Sequence, residues 1–247
     1  MMNLQDKVAL ITGGAARVGR AITLALAQAG THVAVHYNRS VEAAQETVAQ
    51  AQALSVEAQA FQADLTDPQA TRTLAAAVRA RFGGVDVLVH AASPFVRASL
   101  LETTLEMWRQ VMGVLAESFL LLTQELTPGM VARGDGAIVA ILDRGVFDPW
   151  PKYLSHGVGK SALWALASSL AVELSPHVRV NGVVPGPVLP PPGFSQVQMQ
   201  RLAKGTLLGR WGSPQDVADA VLYLVRADYV TGEVLFVDGG ERWAHRR

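Results

Sequence analysis

Short apolar runs alternate along the chain with longer stretches in which apolar residues recur every three or four positions. The first run, Val8 to Ile11, precedes a helical pattern from Arg17 to Ala29, and Gly30 stands where such a helix would stop. Val33 to His36 predicts a second strand and Val41 to Ala53 an Ala- and Gln-rich helix. Val56 to Gln62 predicts a third strand, and Asp67-Pro68 opens a helix to Phe82. Val85 to His90 follows as a strand. One long helix is expected from Leu105 to Met130, capped by Thr103 or Thr104. Ala137 to Leu142, a helix from Tyr153 to Leu174, and Val178 to Val184 complete the next unit. Five of the twelve prolines fall between Pro185 and Pro192, where no regular element is expected and a rigid flap is. Helices over Gln196 to Lys204 and Pro214 to Val225, the latter capped by Ser213, lead to a last strand, Val234 to Val237.

This alternation predicts the α/β class: a single-domain Rossmann-type, doubly wound parallel sheet of about seven strands with helices on both faces. No break in the pattern marks a second domain, so residues 1–247 read as one unit with a substrate loop around 185–205. Half the residues are hydrophobic and 17% are charged, which suits strands buried on both sides. The formal net charge is zero, so nothing electrostatic argues for nucleic acid or an anionic membrane as partner. No apolar run is long enough for a membrane span, and Met1 to Lys7 lacks the apolar core of a signal peptide. A cytoplasmic location is expected. The chain has no cysteine, which excludes disulfides and thiolate chemistry, and no metal site is expected.

The chemistry begins at Thr12-Gly13-Gly14-Ala15-Ala16-Arg17-Val18-Gly19, between the first strand and the first helix. Gly13 permits a tight turn, Gly19 permits close helix–sheet packing, and the helix N-terminus offers free N–H groups to a pyrophosphate. Arg17 occupies a position where a third glycine often sits, with its side chain free to reach a phosphate or an acidic substrate group. At the end of the second strand, His36-Tyr37-Asn38-Arg39-Ser40 contains no acid. NAD-preferring sites place Asp or Glu there, whereas a 2′-phosphate needs the amide, guanidinium and hydroxyl that this stretch supplies. NADP(H) is the expected cofactor.

Together with Ala63-Asp64-Leu65, Arg179-Val180-Asn181-Gly182-Val183-Val184-Pro185-Gly186, Val230-Thr231-Gly232 and Val237-Asp238-Gly239-Gly240, these motifs resemble the short-chain dehydrogenase/reductase family over essentially the whole chain. The resemblance implies that Asp64 and Leu65 contact adenine, that Ala91, Ala92 and Ser93 line the cofactor, and that Pro185, Gly186 and Val188 flank the nicotinamide. Within the family, Arg17, the His-Tyr-x-Arg-Ser stretch at 36–40, Asp143 and Ser93-Pro94-Phe95 are most similar to the pteridine reductase branch. That likeness implies a planar heteroaromatic substrate such as a dihydropterin or dihydrofolate, stacked on Phe95 and held by Asp143. A homotetramer is likewise implied.

The family's proton-donating pair is Tyr-x-x-x-Lys on one helix, a spacing that puts both side chains on one face. Here Lys160 keeps its type, but His156 stands four residues before it. The family's Asn-Asn-Ala reads His90-Ala91-Ala92, and Leu115 replaces a relay asparagine. Three readings stay open: His156 is the acid, Tyr153 supplies a phenol from the same face, or the site binds NADP(H) without turnover. A carbonyl reductase of the 3-oxoacyl-carrier-protein reductase type is a further alternative, although its usual serine is absent. The tail after Glu241 carries Trp243, which is expected to be buried, and a basic end at Arg246 and Arg247 that is expected to fray.

Overall fold

Which face of a strand each apolar residue takes decides the layering. In a computed structural model, which describes residues 1–190 and 193–246, the chain winds β1 (Val8–Thr12), α1 (Arg17–Gln28), β2 (His32–Tyr37), α2 (Val41–Gln52), β3 (Ala58–Gln62), α3 (Pro68–Phe82) and β4 (Val87–His90). It continues through α4 (Leu105–Met112), α5 (Ser118–Arg133), β5 (Gly136–Ile141), α6 (Leu154–Glu173), β6 (Val178–Pro185), α7 (Gln196–Lys204), α8 (Pro214–Arg226) and β7 (Val234–Val237). The seven strands pair in parallel in the order β3-β2-β1-β4-β5-β6-β7. Ala9 and Ile11 face one way, onto Ile22 and Leu26 of α1 and Val221 and Leu224 of α8. Val8 and Leu10 face the other, onto Leu74 of α3, Phe119 and Leu122 of α5 and Leu163 of α6. The period-2 alternation thus feeds two cores, one on each side of the sheet. This is the doubly wound, single-domain Rossmann-type sheet that the sequence predicts.

The winding reverses between β1 and β4, which lie side by side with Thr12 opposite His90. A crevice opens beyond the carboxyl ends of these strands, where ligands bind in open α/β sheets. The predicted caps hold around it. Asp67 accepts from the N–H groups of Gln69 and Ala70, Thr104 accepts from Met107, and Ser213 and Asp216 form a reciprocal box at α8.

Several boundaries differ from the expectation. The long helix is not continuous, because a π-turn at Gly113–Glu117 separates α4 from α5, and α5 runs past Pro128 to Arg133. β3 and β4 each start two residues late. Pro185 is not irregular: it ends β6, paired with Val237, a place where a missing N–H is tolerated. Pro191 and Pro192 of the expected flap lie outside the described residues, as does Arg247. Trp243 keeps 42% of its surface exposed, contrary to the expected burial, within a short 3₁₀ segment at Glu241–Arg246. No described helix is long and apolar enough to cross a membrane.

α8 is fastened to the sheet by one side chain. Arg179 of β6 donates to the carbonyls of Leu224, Val225 and Ala227, each at 2.7 Å, and so closes the C-terminus of α8. Replacing it by Met in Arg179→Met is expected to lower stability by about 2 kcal/mol, since hydrogen bonds to charged groups are lost. Urea unfolding checks this, and an unchanged midpoint would show the anchor to be idle.

Candidate active site

The turn after β1 is shaped by glycines. Gly13 adopts φ +64°, and a Cβ there would stand 3.0 Å from the Cα of Ala92. At Gly19 a Cβ would fall 2.1 Å from the carbonyl oxygen of Gly13, so only glycine lets α1 start this close to the turn. The amides at the head of α1 therefore have a close, side-chain-free approach, the shape that a pyrophosphate requires. Arg17 itself has φ +53°, and its guanidinium extends toward the carbonyl of Leu189 at 3.5 Å. Arg17 thus spans from the phosphate turn to the loop after β6.

His36 supports that turn from below. The N–H of Gly13 donates to Nδ1 at 3.0 Å, while Nε2–H donates to the carbonyl of Ala63 at 3.1 Å. An amide only donates and a carbonyl only accepts, so the ring is held as the neutral Nε2–H tautomer. Burial pushes its pKa down to about 4, against smaller opposing effects of the Ala63 carbonyl and Asp64. His36 therefore spends both ring nitrogens on the protein. Beside it, Gly13, Asn38, Arg39, Asp64, Leu65, Thr66, Ala92, Ser93, Glu106 and Arg109 border a cleft of about 690 Å³. Asp64 accepts from the N–H and hydroxyl of Thr66, which hold its carboxyl below the usual range. Ser40 sits at the exposed head of α2.

At the crevice floor, Thr12 Oγ1 accepts from the N–H groups of Ala91 and Ala92, both at 3.0 Å, and so turns its own proton to Nδ1 of His90 at 3.1 Å. His90 Nε2–H reaches the carbonyl of Val114 in the π-turn at 3.0 Å. Burial, with the Lys160 charge adding to it, pushes the His90 pKa down to about 3. This ring is a neutral brace.

The titratable cluster lies between β5 and α6. Lys160 is buried and donates to the carbonyl of Ile141 at 2.6 Å; burial lowers its pKa to about 8, with Asp143 opposing. Asp143 Oδ1 accepts from the N–H of Gly145 at 2.8 Å, and Oδ2 meets Nε2 of His156. Burial would raise the Asp143 carboxyl, but the His156 hydrogen bond and the Lys160 charge outweigh it and leave the pKa below the usual range. Nδ1 of His156 lies 3.0 Å from the carbonyl of Pro94. Phe95 is 57% exposed and packs its ring 4.8 Å from Tyr153 and 4.9 Å from His156, with Trp150 5.9 Å beyond Tyr153. Tyr153 is not in the helix but stands just before it, with its carbonyl accepting from the N–H of Gly157, and its hydroxyl makes no hydrogen bond among the described residues.

The structure thus brings Asp143, His156, Lys160, Tyr153 and Phe95 together beside the crevice, and groups Asn38, Arg39, Asp64 and Leu65 around the cleft. Val188 lines a separate apolar cavity of about 340 Å³ with Pro187, Leu207 and Phe236. At Gly186 a Cβ would stand 2.6 Å from the Cα of Asp238, so the strand ends meet closely there. Sequence reasoning missed Thr66, Glu106, Arg109 and Gln110 at the cleft. The last three are spaced three and four residues apart, a polar face of α4 that was readable but unassigned.

A family model described as enoyl-(acyl carrier protein) reductase matches residues 13–241. The chain belongs to the short-chain dehydrogenase/reductase family. Its relatives include dehydrogenase/reductase SDR family member 4 of Sus scrofa, 35% identical over 96% of this chain and 88% of that protein. L-rhamnose 1-dehydrogenase (NAD(P)(+)) of a Sphingomonas species is 32% identical over 97% of this chain and 98% of its own length. Among solved structures, a blue fluorescent protein from a metagenomic library in complex with NADPH has a TM-score of 0.90 and 31% identity, covering 97% of this chain and 99% of its own. Membership makes this chain an oxidoreductase with a nicotinamide cofactor. The diversity of the relatives' names leaves the substrate to the site itself.

The two neutral histidines carry a consequence for acid stability. Unfolding returns each toward the ordinary histidine value of 6.5, from about 4 for His36 and about 3 for His90. Between those values the unfolded chain binds more protons than the folded one, so stability falls as pH drops below about 6.5. Each histidine contributes up to about 1.4 kcal/mol per pH unit. Thermal melts from neutral to acid pH should show this, and His90→Gln should flatten the slope.

Proposed function

We propose that this chain is an NADPH-dependent reductase of a small planar heteroaromatic substrate of the dihydropterin or dihydrofolate kind. The observation that carries the cofactor choice is the border of the 690 Å³ cleft, where Asn38 and Arg39 follow β2 and no acid stands in residues 36–40. A guanidinium there fits a 2′-phosphate by paired hydrogen bonds, whereas NAD recognition calls for a carboxylate. The glycine turn, which a Cβ would fill, fits the pyrophosphate. The bound cofactor supplies hydride, and Lys160 has N–H donors beyond the one given to Ile141 with which to hold its ribose.

Support for a planar substrate comes from the ring group of Phe95, Tyr153 and Trp150. The half-exposed face of Phe95 offers a shelf on which a flat heterocycle stacks. Asp143 places a carboxylate beside that shelf, suited to amino and ring N–H groups of a pterin. His156 stands where the family has its tyrosine, so the proton that accompanies hydride comes by another route than usual. Tyr153, with its uncommitted hydroxyl next to Phe95, is the phenol at hand.

Fluorescence titration should show NADPH bound at least ten-fold more tightly than NADH. Arg39→Ala should weaken NADPH binding by about 10- to 100-fold, the worth of a charge-assisted contact, while leaving NADH unchanged. Equal binding of the two cofactors would overturn the NADP(H) assignment. Loss of absorbance at 340 nm with dihydrobiopterin or dihydrofolate tests the substrate class. Turnover of a β-keto thioester instead would favour the carbonyl reductase alternative, and tight NADPH binding without any turnover would favour a binding role.

A further inference from the structure

His156 is the residue whose placement differs most from what a proton donor needs. Its side chain is 2% exposed, whereas that of its partner Asp143 is 15% exposed. Neither ring nitrogen points to open space. Nδ1 faces the carbonyl of Pro94, which can only accept, so Nδ1 carries a proton. Nε2 faces Oδ2 of Asp143, whose carboxyl the neighbouring Lys160 charge favours in its ionised form against the opposing effect of burial. A bare Nε2 would set a lone pair against a carboxylate oxygen, so Nε2 carries a proton as well. Opposite an ionised Asp143, the ring is satisfied as an imidazolium.

The other charged and titratable groups around it do not replace this arrangement. Lys160, one turn along α6, is directed to Ile141, and Tyr153 faces the ring at 6.5 Å between centroids. Arg144, next to Asp143, turns away to Asp148 and Glu241. From the segment after β4 the Pro94 carbonyl and the Phe95 ring meet the imidazole. We propose that His156 is a latch and not an acid: doubly protonated, it ties the Pro94–Phe95 segment to Asp143 and so sets the aromatic shelf on which substrate lies. It is a positioning residue, acting through Phe95 and Asp143. The kinetic part of this inference rests on the reductase reading above.

Two measurements test it, one of which needs no turnover. Side-chain ¹⁵N NMR of the intact protein at neutral pH should show both nitrogens of His156 protonated, and Asp143→Asn should remove the proton from Nε2. A single bare nitrogen in the wild type would overturn the latch. Hydrogen exchange at the Ala98 N–H, which is bonded to the carbonyl of Lys152 at 2.8 Å, should quicken in His156→Gln, and unchanged exchange would count against it. In kinetics, His156→Gln should raise KM for the planar substrate about ten-fold with kcat largely kept, and combining it with Phe95→Ala should add little. If His156 were the acid, kcat would fall by about 10²–10⁴-fold with KM unchanged, and that result would overturn the proposal. Absence of turnover with every substrate would sink the reductase reading, while the ring's proton count and the exchange rate would still decide the latch.

Discussion

The hydroxyl of Thr12 is the contact on which the crevice depends. Where the sheet reverses its winding, the backbone after β4 turns out of the ladder and leaves the N–H groups of Ala91 and Ala92 without strand partners. Both are taken up by this one oxygen, whose proton goes on to His90 and so to the π-turn carbonyl of Val114. Four pieces of chain, from β1, β4, the following loop and the helix pair α4–α5, are joined through two buried side chains. Leaving any of these groups unpaired away from water costs about 1–3 kcal/mol. Such a network sets how these pieces meet at the crevice floor.

The same economy explains how two histidines are used. His36 and His90 each accept from one protein donor and give to one carbonyl, and burial keeps both neutral. His156 has different surroundings, with the Pro94 carbonyl at one ring nitrogen and the Asp143 carboxyl at the other. Three rings of identical chemistry thus serve as two neutral braces and one tie between acceptors, according to what each nitrogen faces.

The fold was readable because its signal is local and repeated: apolar alternation in β1, three-and-four spacing in α1 and α8, and Asp67-Pro68 or Ser213-Pro214 at helix starts. The phosphate turn was readable for the same reason, since Gly13 and Gly19 act within a single turn. The features that escaped are those set by distant partners. The inward turn of His36 depends on Ala63, 27 residues away, and the commitment of His156 depends on the carbonyl of Pro94, 62 residues away. The π-turn at Gly113 leaves no mark in a pattern that reads as one helix, because Val111, Leu115 and Phe119 keep a four-residue spacing through it. Pro185 as a strand end follows from pairing with Val237 rather than from its neighbours.

The close approach of α6 to the π-turn has a consequence for where Lys160 stands. At Gly159 a Cβ would lie 2.8 Å from Val111 and 2.9 Å from Leu115, so hydrocarbon fills the space behind that part of α6. Leu115 and Val111 are both fully buried, so the rear of the compartment is apolar. Behind Lys160, α6 therefore meets packed side chains of α4 and the π-turn rather than polar groups. A side chain added at position 159 would push α6 off that packing and carry Lys160 with it, so the absence of a Cβ one residue away helps to fix where the buried ammonium stands.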